Sequence, residues 1–188
     1  MMNYCSQCGA KVGLRTPPGD NFPRHICNVC GTIHYENPKM VVGTIPEWGN
    51  RILLCRRAIE PRYGLWTLPA GFMENGETTL QAAARETAEE AHARVETLTL
   101  YALYNVPHIS QVHMFFRGRM LDGNFMPGQE SLEVALFNEE EIPWEQLAFL
   151  SVRNTLEHYF EDRRQGAFGL HVGDIIPPRE APKKDTIA

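Results

Sequence analysis

One stretch constrains this chain more than any other: Leu68–Ala93, LPAGFMENGETTLQAAARETAEEAHA. Pro69-Ala70-Gly71 and Asn75-Gly76 are turn signals, so a glycine-rich loop leads into whatever follows. Thr78 or Thr79 can cap a helix there, and Leu80 to Ala91 holds no proline or glycine to break it. Leu80, Ala83, Ala84, Thr87, Ala88 and Ala91 recur at helical spacing. Nearly all are small, which suits a helix lying close against a sheet. The other face carries Glu86, Glu89 and Glu90.

Those glutamates break local rules. Glu86 and Glu90 form an i,i+4 like-charge pair, with repulsion of roughly 0.2–0.5 kcal/mol. All three sit in the last turns, where the helix dipole disfavours each anion by about 0.3–1 kcal/mol. Violations without local compensation point to function. A divalent cation supplies the compensation, because hard oxygen donors on one helix face suit Mg²⁺ or Mn²⁺. The competing reading is a solvated acidic face. The run Gly71, five residues, Glu77, seven residues, Arg85-Glu86, then Glu89-Glu90 resembles the signature of the Nudix hydrolases. One departure stands out: the family usually has glycine at the position of His92 and an aliphatic residue at that of Ala93.

Four of the five cysteines form two knuckles, Cys5-x-x-Cys8 and Cys27-x-x-Cys30, each followed by glycine. The spacing fits a zinc ribbon, in which four thiolates hold one structural Zn²⁺. Residues 1–36 contain too few large apolar side chains for an independent core, so a metal would supply folding energy. Disulfides or a redox pair are the alternative. Cys55, inside the apolar run ILLC, reads as an ordinary buried thiol.

The net charge of −5 argues against a broad nucleic-acid or anionic-membrane surface. No stretch approaches the ~20 apolar residues of a membrane span, and no secretory leader is evident. A cytoplasmic protein is therefore the expectation. Asn37-Pro38 marks a boundary. Strand-like runs follow at Met40–Ile45 and Arg51–Arg57, joined by a turn over Pro46–Asn50, with further strands at Val95–Val106, Gln111–Met120 and Glu133–Phe137. Ser151–Arg163 is an amphipathic helix. The expected organisation is a ribbon over 1–36, a catalytic domain over 37–163 and a C-terminal tail over 164–188. Residues 178–188 read as loose, whereas Phe168–Ile176 is apolar enough to dock.

The Nudix resemblance implies an α/β/α sandwich with a mixed sheet (class α/β) and hydrolysis of a pyrophosphate bond in a nucleotide derivative. It implies Glu86, Glu89 and Glu90 as ligands of Mg²⁺ or Mn²⁺, and Gly71, Glu77 and Arg85 as structural members of the motif, Arg85 pairing with Glu77. It also implies a loop carboxylate as metal ligand or base, here Glu130 with Glu133 as second choice. Glu130 or a glutamate of the helix, Glu89 among them, would accept the proton of the attacking water. Arg56, Arg57 and Arg62 cluster just before the signature and read either as pyrophosphate contacts or as solvated charge. Tyr104, Phe115 and Phe116 are candidates for an aromatic wall against a base, or core. His108 and His113 are candidates for the substrate side of the sheet.

A ribbon ahead of such a domain resembles two groups. One is the NADH pyrophosphatases, whose array after the signature is missing from Tyr104–Gln111. The other is the FAD/ADP-ribose diphosphatase-like proteins, which share runs close to NPKMVVG, GLWTLPAGFMENGE and PGQESLE. FAD or ADP-ribose is thus the favoured substrate, with NADH/NAD hydrolysis as the alternative. A non-catalytic nucleotide sensor whose ribbon binds nucleic acid is a third reading, though nucleic acid is not the expected partner. A homodimer formed through the ribbon is compatible with enzymatic function.

Overall fold

The computed structural model describes residues 2–176, so the expectation for 178–188 lies outside them. The backbone divides into two compact units between Pro38 and Lys39. In the first, β1 (Val12–Arg15), β2 (Arg24–Cys27) and β3 (Ile33–His34) form an antiparallel three-stranded sheet. Gly9 and Gly31, each directly after a knuckle, have φ of 73° and 72°, a region open to glycine at little cost.

The second unit is built on β4 (Lys39–Trp48), β5 (Arg51–Arg57), β6 (Trp66–Thr67), β7 (Ala70–Phe72), β8 (Val95–Val106), β9 (Gln111–Met120), β10 (Ser131–Phe137) and β11 (His171–Asp174). The main path runs β10-β5-β4-β9-β8-β11, with β6 on β5 and β7 on β4. The sheet is mixed: β4/β9 and β8/β11 are parallel and the other pairs antiparallel. Helix α1 (Thr79–Ala91) packs its alanines, Ala82 and Ala83, against Val42 and Phe116. Helix α2 (Leu150–Gln165) buries Val152, Leu156, Tyr159 and Phe160 with Ile45, Ile52 and Leu54. Val42 and Ile45 point to opposite faces of β4, as do Leu53 and Leu54 on β5, so the helices cover opposite faces of the sheet. The result is the expected α/β/α sandwich.

Three details differ from the sequence expectation. Strand β4 runs through Pro46 to Trp48 instead of turning at Pro46. Proline is tolerated because the flank of β4 passes there from β7, paired at Val41–Gly43, to β5, paired at Glu47–Trp48. The turn is confined to Gly49 and Asn50, with Gly49 at φ 59°. Strand β10 begins at Ser131, two residues early, and carries a register shift between Ser131 and Glu133. Beyond Arg163, α2 continues to Gln165 and β11 adds a parallel strand to β8, so no tail begins at 164. Asp162 anchors that return, accepting hydrogen bonds from Tyr101 Oη at 2.9 Å and Gly169 N at 3.2 Å, with His171 Nε2 at 2.8 Å. Among the described residues, no helix is long and apolar enough to cross a membrane.

Candidate active site

The loop-helix stretch is assembled from its own side chains. Thr78 caps α1: its Oγ1 accepts from Gln81 N at 3.2 Å, and Gln81 Oε1 accepts from Thr78 N at 2.8 Å. This reciprocal box satisfies two of the free donors at the helix start. At the other end His92 takes the left-handed conformation, φ 46°, and donates its N–H to Ala88 O at 3.0 Å. A glycine would adopt that geometry without strain.

Arg85 ties loop to helix. Its Nε and Nη2 grip Glu77 at 3.0 and 2.7 Å, Nη1 reaches Glu86 at 2.8 Å and Glu89 at 3.0 Å, and Nη2 donates to Phe72 O at 3.1 Å. The two-pronged contact holds the Glu77 carboxyl below its ordinary range. Glu86 and Glu90 are only 8% and 6% exposed, whereas Glu89 stands open to solvent. Burial, then the charge of Glu86, pushes Glu90 up to about 8; burial likewise raises Glu86. Ala70 N donates to Glu90 Oε2 at 3.3 Å, and Gly71 leaves the space that the Glu86 carboxylate fills.

The loop bearing Glu130 is docked on the end of α1. Met126 N and Gly128 N donate to Ala91 O and Glu90 O, each at 2.9 Å, satisfying carbonyls that a helix end leaves free. Gly128 is required: a Cβ there would lie 1.8 Å from Glu89 O. Exposed Glu130 consequently acts electrostatically on both Glu86 and Glu90. The sequence reading missed this role of Gly128, although the Pro127-Gly128 turn signal was its trace. It also missed Ser131, whose buried Oγ lies beside the Cys55 thiol; burial, then the charge of Glu90, pushes that thiol well above its ordinary range.

The arginines divide. Arg57 is buried, donates from Nε to Pro61 O at 2.9 Å, lies 5.1 Å over the Phe149 ring, and acts on Glu90 through its charge. Arg56 is turned to Gly64 O at 2.9 Å and to Glu133 at 3.6 Å, so Glu133 stands with an arginine instead of with the helix carboxylates. The aromatic wall is a correction. Tyr104 and Phe115, 3% and 1% exposed, belong to the main core cluster under α2, and Phe116 is buried against α1. Both faces of β8 and β9 are covered by helices, which leaves those rings no open side. His113 is buried too, between Ser151 Oγ and Gln111 Oε1, each at 2.9 Å, and burial lowers it to about 4.

The carboxylate set is all hard oxygen, partly buried and short of cations except Arg85 and Arg57, which fits a divalent metal. Among the described residues only the cysteines already have all their ligand atoms within 4.8 Å of one another. Binding by Glu86 and Glu89 therefore means that both loosen from Arg85. In the ribbon, Cys8 Sγ lies 3.4 Å from Cys27 and 3.5 Å from Cys30, and Cys5 lies 3.7 Å from Cys30. Those spacings are far beyond a disulfide and near the edge of ~3.8 Å that Zn–S bonds of 2.3 Å give a tetrahedron. Backbone amides of Gln7, Val29 and Cys30 point at the sulfurs, and the Thr32 hydroxyl lowers Cys30 to about 6. The site fits structural Zn²⁺.

Comparison with known proteins agrees with this geometry. Residues 3–36 match a family model described as Nudix N-terminal, a zinc ribbon, and residues 38–161 match the NUDIX domain. A crystal structure of a NUDIX hydrolase from Nitrosomonas europaea is 59% identical, with a TM-score of 0.89 over 93% of this chain and 99% of the other. The NAD-capped RNA hydrolase NudC of Vibrio atlanticus (strain LGP32) is 29% identical over 88% of this chain and 60% of its own length. An ADP-ribose pyrophosphatase of Methanocaldococcus jannaschii is 31% identical over 61% of this chain and 69% of its own. The chain spans about half the length of most curated relatives it matches.

Proposed function

The chain belongs to the Nudix family, with the family's zinc ribbon ahead of its NUDIX domain, and from that premise we propose that it hydrolyses the pyrophosphate bond of an adenosine dinucleotide or nucleoside-diphosphate derivative. The observation that carries this reading is the pair of buried carboxylates, Glu86 and Glu90, facing each other beside Glu130 and Glu89. Mg²⁺ or Mn²⁺ held by Glu86, Glu89 and Glu90 would neutralise phosphate oxygens and acidify bound water. Glu130, exposed yet pinned at its loop base by Gly128, or Glu89 is placed to accept the water's proton. Arg85 and Glu77 hold the loop against the helix, and Arg57 offers a fixed guanidinium beside the carboxylates for the pyrophosphate. Arg56 has less to offer, being engaged by Glu133.

FAD or ADP-ribose is the favoured substrate, on the shared runs around Gly64–Glu77 and Pro127–Glu133; the relative named as an ADP-ribose pyrophosphatase supports this. The relatives named as NAD-capped RNA hydrolases favour NADH/NAD as the second reading. A panel of FAD, ADP-ribose, NADH and sugar nucleotides with Mg²⁺ or Mn²⁺, products read by HPLC, decides. FAD should give AMP and FMN, and ADP-ribose should give AMP and ribose 5-phosphate. If kcat/KM for NADH exceeds both by tenfold, about 1.4 kcal/mol of transition-state preference, the second reading holds. No turnover of any member would overturn the enzymatic reading.

A further inference from the structure

Thr44 of β4 and Thr87 of α1 are both fully buried, and their hydroxyl oxygens lie 2.6 Å apart. Thr87 gives its only hydroxyl proton to Ala83 O at 2.8 Å, so Thr44 is the donor between the two. Among the described residues this is the one side-chain hydrogen bond between α1 and β4. The packing around it is made by Ala82 and Ala83 with Val42 and Phe116. Alanines present low ridges, so such a face resists separation from the sheet but does little to stop sliding along it. A short, directional bond between two buried hydroxyls supplies the missing register.

Thr44 also holds the loop. Its N–H donates to Pro69 O at 3.1 Å, and Gly43 before it leaves room for Ala70: a Cβ on Gly43 would lie 2.4 Å from Ala70 Cβ. Ala70 N in turn donates to Glu90 Oε2 at 3.3 Å. The circuit is closed: strand to helix at Thr87, helix to loop at Glu90, loop back to strand at Pro69. Thr87 follows Glu86 directly and precedes Glu90 by three residues, so whatever fixes Thr87 fixes both carboxylates. Glu86 and Glu89 must loosen from Arg85 to take a cation, but nothing in the Thr44–Thr87 bond has to change. That bond therefore ties the helix to the strand in the free and the loaded site alike. Displacing a positioned group by about 1 Å costs on the order of 10²-fold in rate, so such a tie bears on turnover.

We propose that Thr44 is a positioning residue: its hydroxyl, acting through Thr87, fixes where Glu86 and Glu90 stand against the loop at residues 69–71, and so sets cation affinity and turnover. This rests on the metal-dependent pyrophosphatase reading and deepens it. The zinc-loaded full chain is compared as wild type, Thr44→Val, Thr87→Val, the double variant and Thr44→Ser. Mn²⁺ binding is titrated by the EPR signal of the free ion. kcat and KM are measured at saturating Mn²⁺ on the best substrate of the panel, and melting is followed without added Mn²⁺. Each single valine should weaken Mn²⁺ binding about tenfold and lower kcat/KM by about 10- to 100-fold. Thr87→Val also leaves the buried Thr44 hydroxyl without an acceptor, so it should melt lowest. The double variant removes both hydroxyls at nearly constant volume. Its melting temperature should return close to that of the wild type while binding and turnover stay low. Thr44→Ser keeps the hydroxyl and loses a buried methyl, so it should melt below the wild type yet bind and turn over within about threefold of it. A double variant that regains binding and turnover together with stability, or a serine variant as impaired as the valine, would reduce the pair to packing and overturn the proposal. Single valines that bind Mn²⁺ and turn over as the wild type does would overturn it too. If the wild type binds Mn²⁺ but hydrolyses nothing, the enzymatic reading falls, and the Mn²⁺ titrations alone decide for or against Thr44.

Discussion

Gly71 backs directly onto the Glu86 carboxylate: a Cβ on Gly71 would lie 2.3 Å from Oε2 and 2.5 Å from Oε1. The loop glycine is thus a matter of close approach and not of backbone freedom, since Gly71 is not among the glycines of positive φ. Gly71→Ala should push the carboxylate out of its place while the helix and sheet stay where they are. We expect kcat/KM to fall about 10²-fold, the scale of losing one preorganised electrostatic group. The melting temperature should move by only a few degrees, roughly 1 kcal/mol. Unchanged kinetics would mean that Glu86 is no part of the reaction.

Glu90 supplies a sharper separation of function from stability. Glu90→Gln should lower kcat at least ~10²-fold, as a charge that holds metal is lost. In metal-free buffer the same variant should melt at an equal or higher temperature. It removes a buried carboxyl that faces Glu86 and stands against the helix dipole. Full activity together with a lower melting temperature would make Glu90 a structural residue.

His113 carries a pH signature away from the carboxylates. Burial holds it near 4 in the folded protein, against 6.5 as its ordinary value. The unfolded chain therefore binds a proton between those values that the folded protein does not. Stability should be full above about 6.5 and decline as pH falls toward 4, with a contribution on the order of 2–3 kcal/mol. Denaturant melts of the wild type and His113→Gln from pH 7 to 4.5 should diverge by that amount. Parallel curves would show that His113 protonates freely in the fold.

The ribbon is tested by metal analysis. A freshly reduced preparation should contain about one zinc per chain, and Cys8→Ser should lose it. Cys8 is exposed and its thiol is pushed up to about 12, raised by the neighbouring Cys27 and Cys30 thiols against a lowering by the Ala10 amide; that cost disappears when a metal takes the proton's place. Zinc-free protein with four free thiols and an intact ribbon would remove the metal from the account.

What the sequence determined by itself was local in the chain. The Gly71–Glu90 loop and helix, the Thr78 cap and the paired cysteine knuckles each lie within a short segment. Turn preferences, helical periodicity and ligand spacing act over a few residues, so the pattern is legible without a fold. The tertiary structure decided everything that depends on which elements meet. Tyr104 and Phe115 read equally well as ligand platform or core, because strands covered by helices on both faces lose the alternation that tells inside from outside. Their burial followed from α2 docking on β8 and β9. Glu130 reached Glu90 through two backbone hydrogen bonds from a loop almost forty residues downstream, and Arg57 joined them through the pairing of β5 with β10. Strand β11 has little local signal of its own; its place beside β8 is held by Asp162, Tyr101 and His171, three residues that only the folded chain brings into hydrogen-bond range.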